Sequence, residues 1–454
     1  MGSGSSQDNG RPRSEPTGTI SGWGRIPVPG REVRVSDLRR GTRKAVLTRG
    51  LARSYGDASL PPPSRPEVVA SPLADRVLEF DRVTGRIRAE AGLSLRELNR
   101  LFLPSGWFTP VTPGTQFVTL GGMVAADVHG KNHHRARCFG EHVNSLLVRT
   151  GDGQVRRCSL DEEPDLFLAT IGGMGLLGHI LEVEFQMIPV TSRWILCDSE
   201  RVPDIDCYMD GLKEAGPNWP YTVGWIDCLS RDRNLGRGIL QRGRFATAEE
   251  APEEKPRQLT RLAVPFECPS WMLGPWSVRA FNASYFAAHG ADQKVGIVHP
   301  EKFFYPLDSI LHWNLMYGRR GFTQYQCVLP ESSGRGAARR FLELLTSRGG
   351  ASFLCVIKDC GAEGRGMISF PMAGISIAID IAVRDDTQAL VDTLNELVLA
   401  EGGRIYLAKD SFTRPEHFRA MEPRLDRFLE VRRRFDPKLE IRSALSVRLF
   451  GDPA

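Results

Sequence analysis

Residues 119–134, TLGGMVAADVHGKNHH, concentrate two adjacent glycines, an aspartate, three histidines and a lysine in one short stretch. His129 and His133 are four residues apart, which on a helix would put both on one face, but Gly130 and the lack of a helical apolar pattern argue against a helix. Lys131 would repel a bound dication, and no HEXXH motif is present. The stretch therefore indicates no metal site. It favours a pocket wall in which His129 and Lys131 hydrogen-bond an anionic or hydroxyl-rich ligand beside a flat cofactor.

Two glycine-bearing segments precede this stretch or overlap it. RGLARSYGDAS (49–59) follows a strand-like run, and PVTPGTQFVTLGG (110–122) reads as a Pro/Gly loop that ends in paired glycines. Such loops can present backbone N–H groups to a phosphate, with Arg53 and Ser54 as side-chain donors, and glycine lets a backbone approach a ligand closely. Neither segment has the GxGxxG or GxxxxGK[ST] spacing. A dinucleotide would therefore be bound in another way.

The composition is that of an ordinary globular protein. The chain has 454 residues, of which 41% are hydrophobic and 25% charged, and this length predicts two or three domains. The first twenty residues have no apolar signal region and read as a flexible leader, and no window is apolar enough to span a membrane. Nine cysteines without CxxC spacing favour free thiols in a reducing compartment. A net charge of +5 gives no indication of nucleic-acid binding.

Three regions follow one another after the leader, and together they predict an α+β fold. Residues 21–190 read as many short strands interrupted by helices at 94–106 and 161–173, the first with a capping box between Ser94 and Glu97. Residues 191–403 predict an antiparallel sheet covered by helices on one face, with a long mobile loop at 243–269. Residues 404–454 predict a helical tail that returns to the first region through an apolar stripe: Phe418, Met421, Leu425, Phe428 and Val431.

Motifs spread over nearly the whole chain resemble a known family. They are RGLARSYGDAS, PGTQFVTLGGMVAADVHGKNHH, FGEHV, TIGGMGLLGHI, FYPLD with HWN and YG shortly after it, FTQYQ, and YLAKDS followed by MEPRLDRFLEVRRRFDP. These motifs look like those of the flavoprotein subunits of decaprenylphosphoryl-β-D-ribose 2′-epimerases, within the vanillyl-alcohol oxidase and aldonolactone oxidase superfamily. The resemblance runs from about Trp23 to Leu449, and HGKNHH and AKDS are its most specific parts.

The resemblance implies an FAD-binding domain of two subdomains (21–190), an antiparallel-sheet substrate domain (191–403) and a C-terminal segment (404–454) that returns to the FAD domain. The first loop carries Tyr55 and no histidine, so we expect non-covalent FAD. By position, the implied FAD contacts are Arg49, Gly50, Leu51, Ala52, Arg53, Ser54, Tyr55, Gly56, Asp57, Ala58, Ser59, Gly114, Thr119, Leu120, Gly121, Gly122, Ala126, Asp127, Val128, His129, Ile180 and Tyr406.

The implied reaction is oxidation of the 2′-hydroxyl of a polyprenylphosphoryl-β-D-ribose to the 2′-ketone. It is the first half of an epimerisation that supplies an arabinose donor for cell-wall synthesis. Lys409 in AKDS matches the family's active-site lysine, and His129 and Tyr55 join it as implied catalytic residues. The implied substrate contacts are Lys131, Gln324, Gln326, Phe304 and Ala378, of which Ala378 replaces a cysteine of the mycobacterial members.

The resemblance also implies an NAD(P)H-dependent short-chain reductase as partner, and a cytoplasmic enzyme or one peripheral to the inner membrane. One alternative on the same fold is an FAD-dependent oxidase or dehydrogenase of a soluble sugar, alditol or aldonolactone. Another, of a different class, is a flavin-free carbohydrate- or nucleotide-binding module. The prenyl length, the electron acceptor and the oligomeric state do not follow from the sequence.

Overall fold

The computed structural model describes residues 18–257, 259–269, 273–290 and 293–454. Most of the predicted leader lies outside the described residues, but its last residues do not belong to a leader. Thr19 and Ile20 are part of a strand, because Thr19–Ser21 pairs in antiparallel register with Pro27–Pro29. Within the described residues, no helix is both long and apolar enough to cross a membrane.

The N-terminal part, up to residue 190, is built from short strands and short helices. Its strands are β1 (Thr19–Ser21), β2 (Pro27–Pro29), β3 (Arg31–Arg34), β4 (Thr48–Arg49), β5 (Glu67–Ala70), β6 (Val77–Phe80), β7 (Arg86–Glu90), β8 (Trp107–Phe108), β9 (Val143–Thr150), β10 (Val155–Ser159), β11 (Gly178–Gln186) and β12 (Ile188–Pro189). Its helices are α1 (Leu38–Gly41), α2 (Leu95–Phe102), α3 (Leu120–Ala125), α4 (His133–Ala136) and α5 (Pro164–Thr170).

These strands form two main sheets. A three-stranded parallel sheet has the order β3-β5-β4, and a five-stranded antiparallel sheet has the order β10-β9-β11-β7-β6. The central strand β11 is apolar at alternate positions, and Leu181, Val183 and Phe185 are buried. Such a pattern is typical of a strand that packs one face on a core. The first loop, 49–59, begins at the end of β4 and so leaves the parallel sheet at a fixed point.

The second part contains the large sheet of the molecule. Its strands are β13 (Ile195–Val202), β14 (Tyr221–Ile226), β15 (Gly238–Phe245), β16 (Leu262–Ala263), β17 (Lys294–Val298), β18 (Ile310–Leu311), β19 (Phe322–Pro330), β20 (Cys355–Cys360) and β21 (Gly374–Ala382). Its helices are α6 (Ile205–Ala215), α7 (Pro275–Ala288), α8 (Pro300–Phe304), α9 (Gly336–Ser347) and α10 (Thr387–Ala400). Eight strands pair in the order β17-β13-β15-β14-β20-β21-β19-β22, where β22 is Arg404–Ile405.

Strand β19 shows how this sheet separates two environments. Tyr325 stacks on Phe341 of α9, and its hydroxyl donates to Asn395 of α10 at 2.9 Å. Gln324 and Gln326 alternate with Tyr325, so they point to the opposite face. Helices α6, α9 and α10 cover the first face, and the second face stays open to a cavity. The predicted α+β fold, with an antiparallel sheet covered by helices on one face, is confirmed.

The C-terminal part begins as the edge strand β22 of the large sheet and continues in helices α11 (Pro415–Met421), α12 (Leu425–Phe435) and α13 (Ala444–Phe450). The whole predicted apolar stripe is buried. Helix α12 packs against α5, and Arg427 and Arg434 both pair with Asp165. The tail therefore lies against the N-terminal part, while its first two residues belong to the large sheet.

Three local predictions need correction. Ser94 accepts a hydrogen bond from the Glu97 amide, but the Glu97 carboxylate pairs with Arg100 and does not complete a capping box. The long loop predicted at 243–269 begins later, since β15 runs to Phe245, and it contains the short strand β16, which pairs with β18. Gly121 and Gly122 lie in the first turns of helix α3, which Thr119 caps, and not in a loop.

One ion-pair group joins the segments that surround the cavity. Arg448 of α13 donates to both carboxylate oxygens of Asp57, at 2.7 and 2.8 Å, and pairs with Asp410 at 2.9 Å. The same guanidinium donates to the Thr413 carbonyl. Asp57 belongs to the first loop and Asp410 follows Lys409 in the AKDS motif. Arg448 therefore sets the position of the first loop relative to the loop that carries Lys409.

We expect Arg448→Met to destabilise the protein by about 2–3 kcal/mol, somewhat below the roughly 3–5 kcal/mol typical of fully buried pairs, because two largely buried carboxylates lose their counter-charge. Urea denaturation measures the change. The matched control is Arg427→Met, which removes an exposed arginine from α12 and should cost less than about 1 kcal/mol. Equal losses in the free energy of unfolding of the two variants would show that Arg448 contributes no more than an exposed ion pair does.

Candidate active site

A cavity of about 640 Å³ lies between the N-terminal part and the open face of the large sheet. One wall is formed by the first loop, the start of α3 and residues 125–131. The opposite wall is formed by β14, β15, β19, β20 and β21. This volume is within the range of small-molecule and cofactor sites. The cavity therefore brings together the segments that the sequence marked separately.

The first loop approaches the rest of its wall with little space between backbones. A Cβ on Gly50 would lie 2.2 Å from the Thr119 hydroxyl, and a Cβ on Gly56 would lie 1.6 Å from the Asp410 carbonyl oxygen. Neither contact is possible for a larger residue, so both glycines are needed for packing. The Tyr55 amide also donates to the Ala408 carbonyl at 2.9 Å. The loop is thus held on one side by α3 and on the other by the AKDS segment.

His129 lies at the junction of the two walls. The Gln326 side-chain amide donates to His129 Nε2 at 2.8 Å, so the neutral ring carries its proton on Nδ1. Burial, together with the nearby Lys358, His133 and Lys409, holds the pKa of His129 well below its usual value. Nδ1 is buried and has no hydrogen-bond partner among the described residues. His129 is therefore a neutral donor that a ligand could satisfy.

Lys409 lies at the base of the cavity beside an aromatic ring and a buried acid. Its ammonium is 3.7 Å from the centre of the Tyr55 ring. Asp380 accepts hydrogen bonds from Gln324 at 2.6 Å and from the Tyr317 hydroxyl at 3.0 Å. Burial lowers the pKa of Lys409, while the Asp380 carboxylate opposes that shift; burial likewise raises the pKa of Asp380. Lys409 can therefore exist as a neutral amine far more readily than an exposed lysine.

Two further lysines make this cavity a site for an anion. Lys131 donates to the Phe303 carbonyl and lies over the Phe303 ring, and Lys358 lies on β20. Burial lowers the pKa of Lys131 to about 7, with a smaller contribution from Lys358, and burial also lowers the pKa of Lys358. Neither ammonium has a carboxylate within ion-pairing distance among the described residues. An anionic ligand would supply the missing counter-charge.

Most of the predicted site residues line the cavity. Every implied catalytic and substrate residue does so, and so do the implied cofactor residues Arg49, Gly50, Leu51, Ala52, Arg53, Ser54, Tyr55, Ala58, Ser59, Gly114, Thr119, Gly121, Gly122, Ala126, Val128, His129, Ile180 and Tyr406. Four implied cofactor contacts do not line it: Gly56, Asp57, Leu120 and Asp127. In this structure these four residues are not in a position to contact a ligand in the cavity.

Each of these four residues has a packing role instead. Gly56 meets the Asp410 backbone and Asp57 binds Arg448. Leu120 is completely buried in the hydrophobic core. Asp127 accepts from the Gly140 amide at 2.8 Å and from the Ser369 hydroxyl, and burial raises its pKa to about 6. They support the wall from behind.

The sequence reading missed several residues of the site. Lys358 lies two residues before Cys360 on β20, and its strand gives no motif signal. Asp380 accepts hydrogen bonds from Gln324 and Tyr317, which lie 56 and 63 residues away in the sequence. Alternation along β21 could have suggested Asp380, because it shares a face with Ala378. Tyr317 belongs to the YG dipeptide that follows FYPLD, but the sequence assigned no role to it.

The free donors of the cavity fit FAD. Among the described residues, Arg53 Nε, Ser59 Oγ and His129 Nδ1 are buried without a hydrogen-bond partner, and all three residues line the cavity. Arg53 also stacks on Trp23, with its guanidinium 3.8 Å from the ring centre. A guanidinium, a hydroxyl and an imidazole N–H beside glycine backbone suit a molecule with a pyrophosphate, ribityl hydroxyls and a heteroaromatic ring. The residues that could hold FAD are therefore in place.

Comparisons with known proteins agree with this geometry. The FAD binding domain family matches residues 34–159. Decaprenylphosphoryl-β-D-ribose oxidase from Mycolicibacterium smegmatis is 33% identical over 95% of this chain and 97% of its own length. An uncharacterised protein encoded in the mprA 5′ region of Streptomyces coelicolor is 33% identical over 79% of this chain and 100% of its own length. A putative D-arabinono-1,4-lactone oxidase from Neurospora crassa is 27% identical over 35% of this chain and 28% of its own length.

The match to the mycobacterial oxidase spans both walls of the cavity, and the FAD binding domain family covers the first loop, α3 and the histidine-rich stretch. The chain is an FAD-dependent oxidoreductase that acts on CH–OH groups, and it belongs to the decaprenylphosphoryl-β-D-ribose oxidase family.

Proposed function

We propose that this enzyme oxidises the 2′-hydroxyl of a polyprenylphosphoryl-β-D-ribose to the 2′-ketone, with FAD bound non-covalently against the first loop and α3. The observation that carries the proposal is the shared cavity, in which Lys409, Gln324 and Gln326 face the glycine-rich wall. The mycobacterial relative is a decaprenylphosphoryl-β-D-ribose oxidase, and this supports the substrate class. Residues 21–190 would form the FAD domain, 191–403 the substrate domain, and 404–454 the returning segment.

The proposed chemistry needs a base and a fixed substrate. Bound FAD supplies the acceptor for the two electrons and the hydrogen of the C2′–H bond. The neutral amine of Lys409 takes the proton of the 2′-hydroxyl, so that the carbonyl forms as the C–H bond breaks. Gln324 and Gln326 hold sugar oxygens, and His129 fixes Gln326 in place. Their fixed geometry lowers the entropy cost of aligning the C–H bond.

The phosphate of the substrate would lie between Lys131 and Lys358. Lys131 and Lys358 line the cavity with no carboxylate within ion-pairing distance among the described residues, and Lys358 contributes to the lowered pKa of Lys131. A phosphodiester would restore the protonated state of both and bind strongly in this low-dielectric site. Phe304 and Ala378 would shape the wall around the sugar. A soluble aldonolactone or alditol carries no such anion and would leave this charge unused.

A place in a reaction sequence follows from the product. A 2′-keto sugar is converted to the 2′-epimer by hydride delivery to the other face of the carbonyl, so we propose an NAD(P)H-dependent reductase as partner. Cell-wall arabinan synthesis would use the resulting arabinose donor. Because the substrate carries a prenyl chain, we also propose that the enzyme works at the surface of the inner membrane.

Anaerobic mixing with candidate substrates tests the function. We expect prenylphosphoryl ribose to bleach the flavin absorbance, since hydride transfer reduces the bound cofactor. Alditols and aldonolactones serve as comparison compounds at the same concentration and should leave the absorbance unchanged. Bleaching by these soluble compounds alone would replace the proposed substrate with a soluble sugar.

The attachment of FAD has its own test. Among the described residues that line the cavity, His129 is the one histidine and there is no cysteine, and the Nε2 of His129 is engaged by Gln326. We therefore expect acid precipitation of the holoenzyme to release all the flavin into the supernatant. Yellow colour that stays with the pellet, with a flavin mass on the peptide of His129, would contradict non-covalent binding.

Lys409→Ala should retain FAD and lose about 100- to 10,000-fold in the rate of flavin reduction, as expected for loss of a general base. In the parent enzyme this rate should rise with pH through the pKa of Lys409, because only the neutral amine accepts a proton. Asp380→Asn should move that rise to lower pH, since the Asp380 carboxylate raises the pKa of Lys409.

The stopped-flow rate of flavin reduction as a function of pH measures both effects. Arg427→Met, far from the cavity, is the control for each variant. Loss of FAD in Lys409→Ala, or a rise that moves to higher pH in Asp380→Asn, would contradict the assigned roles.

A further inference from the structure

Helix α7 is an exposed helix with almost no charge. Its fourteen residues, PWSVRAFNASYFAA, include Arg279 as the single charged side chain. Only Val278 and Asn282 are buried, while Trp276 is 81% exposed, Phe281 49% and Tyr285 37%. A surface helix normally carries charged residues on its outer face, and exposed apolar patches of this kind usually mark binding sites. We therefore expect the exposed side of α7 to bind an apolar partner.

The helix is fixed above the open face of the large sheet. Asn282 donates to the Asp227 carboxylate at 2.9 Å and to the Ser352 carbonyl at 3.3 Å. Tyr285 meets Trp225 of β14 edge to face, with ring centres 4.8 Å apart. Because these contacts reach strand β14 and the segment before β20, α7 lies directly beside the cavity. Its position relative to the substrate wall is set by polar as well as aromatic contacts.

Four aromatic side chains continue the cavity wall out to the surface, and we call them the mouth wall: Trp225, Phe281, Tyr285 and Phe353. All four line the cavity. Phe281 and Tyr285, one helical turn apart, are stacked with ring centres 5.9 Å apart and an angle of 9° between planes. Phe281 meets Phe353 edge to face at 5.8 Å. The same rings thus contact the interior of the cavity and the solvent.

We propose that the mouth wall and the adjoining face of α7 bind the prenyl chain of the substrate as it leaves the cavity. The inference rests on the proposed function and adds the binding site of the chain to it. The cavity of about 640 Å³ must already hold the flavin and the sugar phosphate, so a long prenyl chain has to extend outside it. Burial of its methylene groups against Phe281 and Tyr285 is favourable, because apolar area leaves water.

The distribution of charge around the cavity also supports an anionic group inside and an apolar chain at the mouth. The lysines that would hold the phosphate, Lys131 and Lys358, lie inside, and the mouth wall carries no charge. The cavity therefore suits a molecule with an anionic head, which would lie near the lysines, and an apolar tail, which would lie along α7. A sugar without a tail matches only the inner part.

Steady-state kinetics with two substrates test the inference. The substrates are phosphoryl ribose with a two-unit prenyl chain and the same head group with a ten-unit chain, both dispersed in detergent. We expect Phe281→Ser to raise KM for the long-chain substrate by about tenfold at unchanged kcat, and to change KM for the short one much less. Val83→Ser, at an 89% exposed apolar position outside the mouth wall, should change neither value. Flavin content and circular dichroism establish that each variant is folded.

The outcomes separate this inference from the proposed function. Turnover of neither substrate by the parent enzyme would remove the proposed function itself. If the parent enzyme turns over both substrates and Phe281→Ser raises KM equally for the long-chain and the short-chain substrate, the mouth wall is not the binding site of the chain. Trp276→Ser adds a further arm, because Trp276 does not line the cavity. The inference fails if Trp276→Ser raises KM for the long-chain substrate as much as Phe281→Ser does and both variants equally lose sedimentation with phosphatidylglycerol vesicles. In that case α7 is a bilayer contact.

Discussion

The arrangement of the site depends on the guanidinium of Arg448. Two carboxylates from distant segments converge on it, Asp57 from the first loop and Asp410 from the segment that carries Lys409. Either carboxylate alone would be costly to bury, and the shared cation makes the pair acceptable. Gly56 then lets the two backbones come so close that no side chain could separate them. The flavin-side loop and the proposed base are therefore positioned by one contact group, which itself lies outside the cavity.

The cavity that results combines positive charge with poor solvation. Lys131, Lys358 and Lys409 all line the cavity with part of each side chain exposed, and their removal from bulk water lowers the pKa of each amine. A lysine in this state can accept a proton, which an exposed lysine at neutral pH cannot do to any useful extent. Asp380 moderates the shift for Lys409 alone. The three amines thus share a lowered pKa but differ in their neighbours, since Lys131 donates to the Phe303 carbonyl and Lys409 lies near the Asp380 carboxylate.

The sequence could predict the parts of this structure that depend on local patterns. Alternation along FTQYQ puts Gln324 and Gln326 on one face, and the structure agrees because β19 is a regular strand with a helix layer on its other side. It could not separate two reasons for a glycine. Both glycines allow close packing, but Gly50 also lines the cavity whereas Gly56 does not, and the two look alike in RGLARSYGDAS. Arg448 binds Asp57 across 391 residues of sequence, and Asp380 binds Gln324 and Tyr317 across 56 and 63 residues, so these pairings do not follow from local patterns.

The hydrogen bond from Gln326 to His129 also decides which ligand atoms the cavity accepts. Because Nε2 is already an acceptor for the amide, the ring can offer only the Nδ1 proton, and its low pKa keeps this arrangement unchanged across the physiological pH range. An atom that meets His129 must therefore bring a lone pair. This point of the cavity therefore accepts a carbonyl oxygen, a hydroxyl oxygen or an unprotonated ring nitrogen, whereas a ring N–H or an ammonium group, which has no free lone pair, is disfavoured.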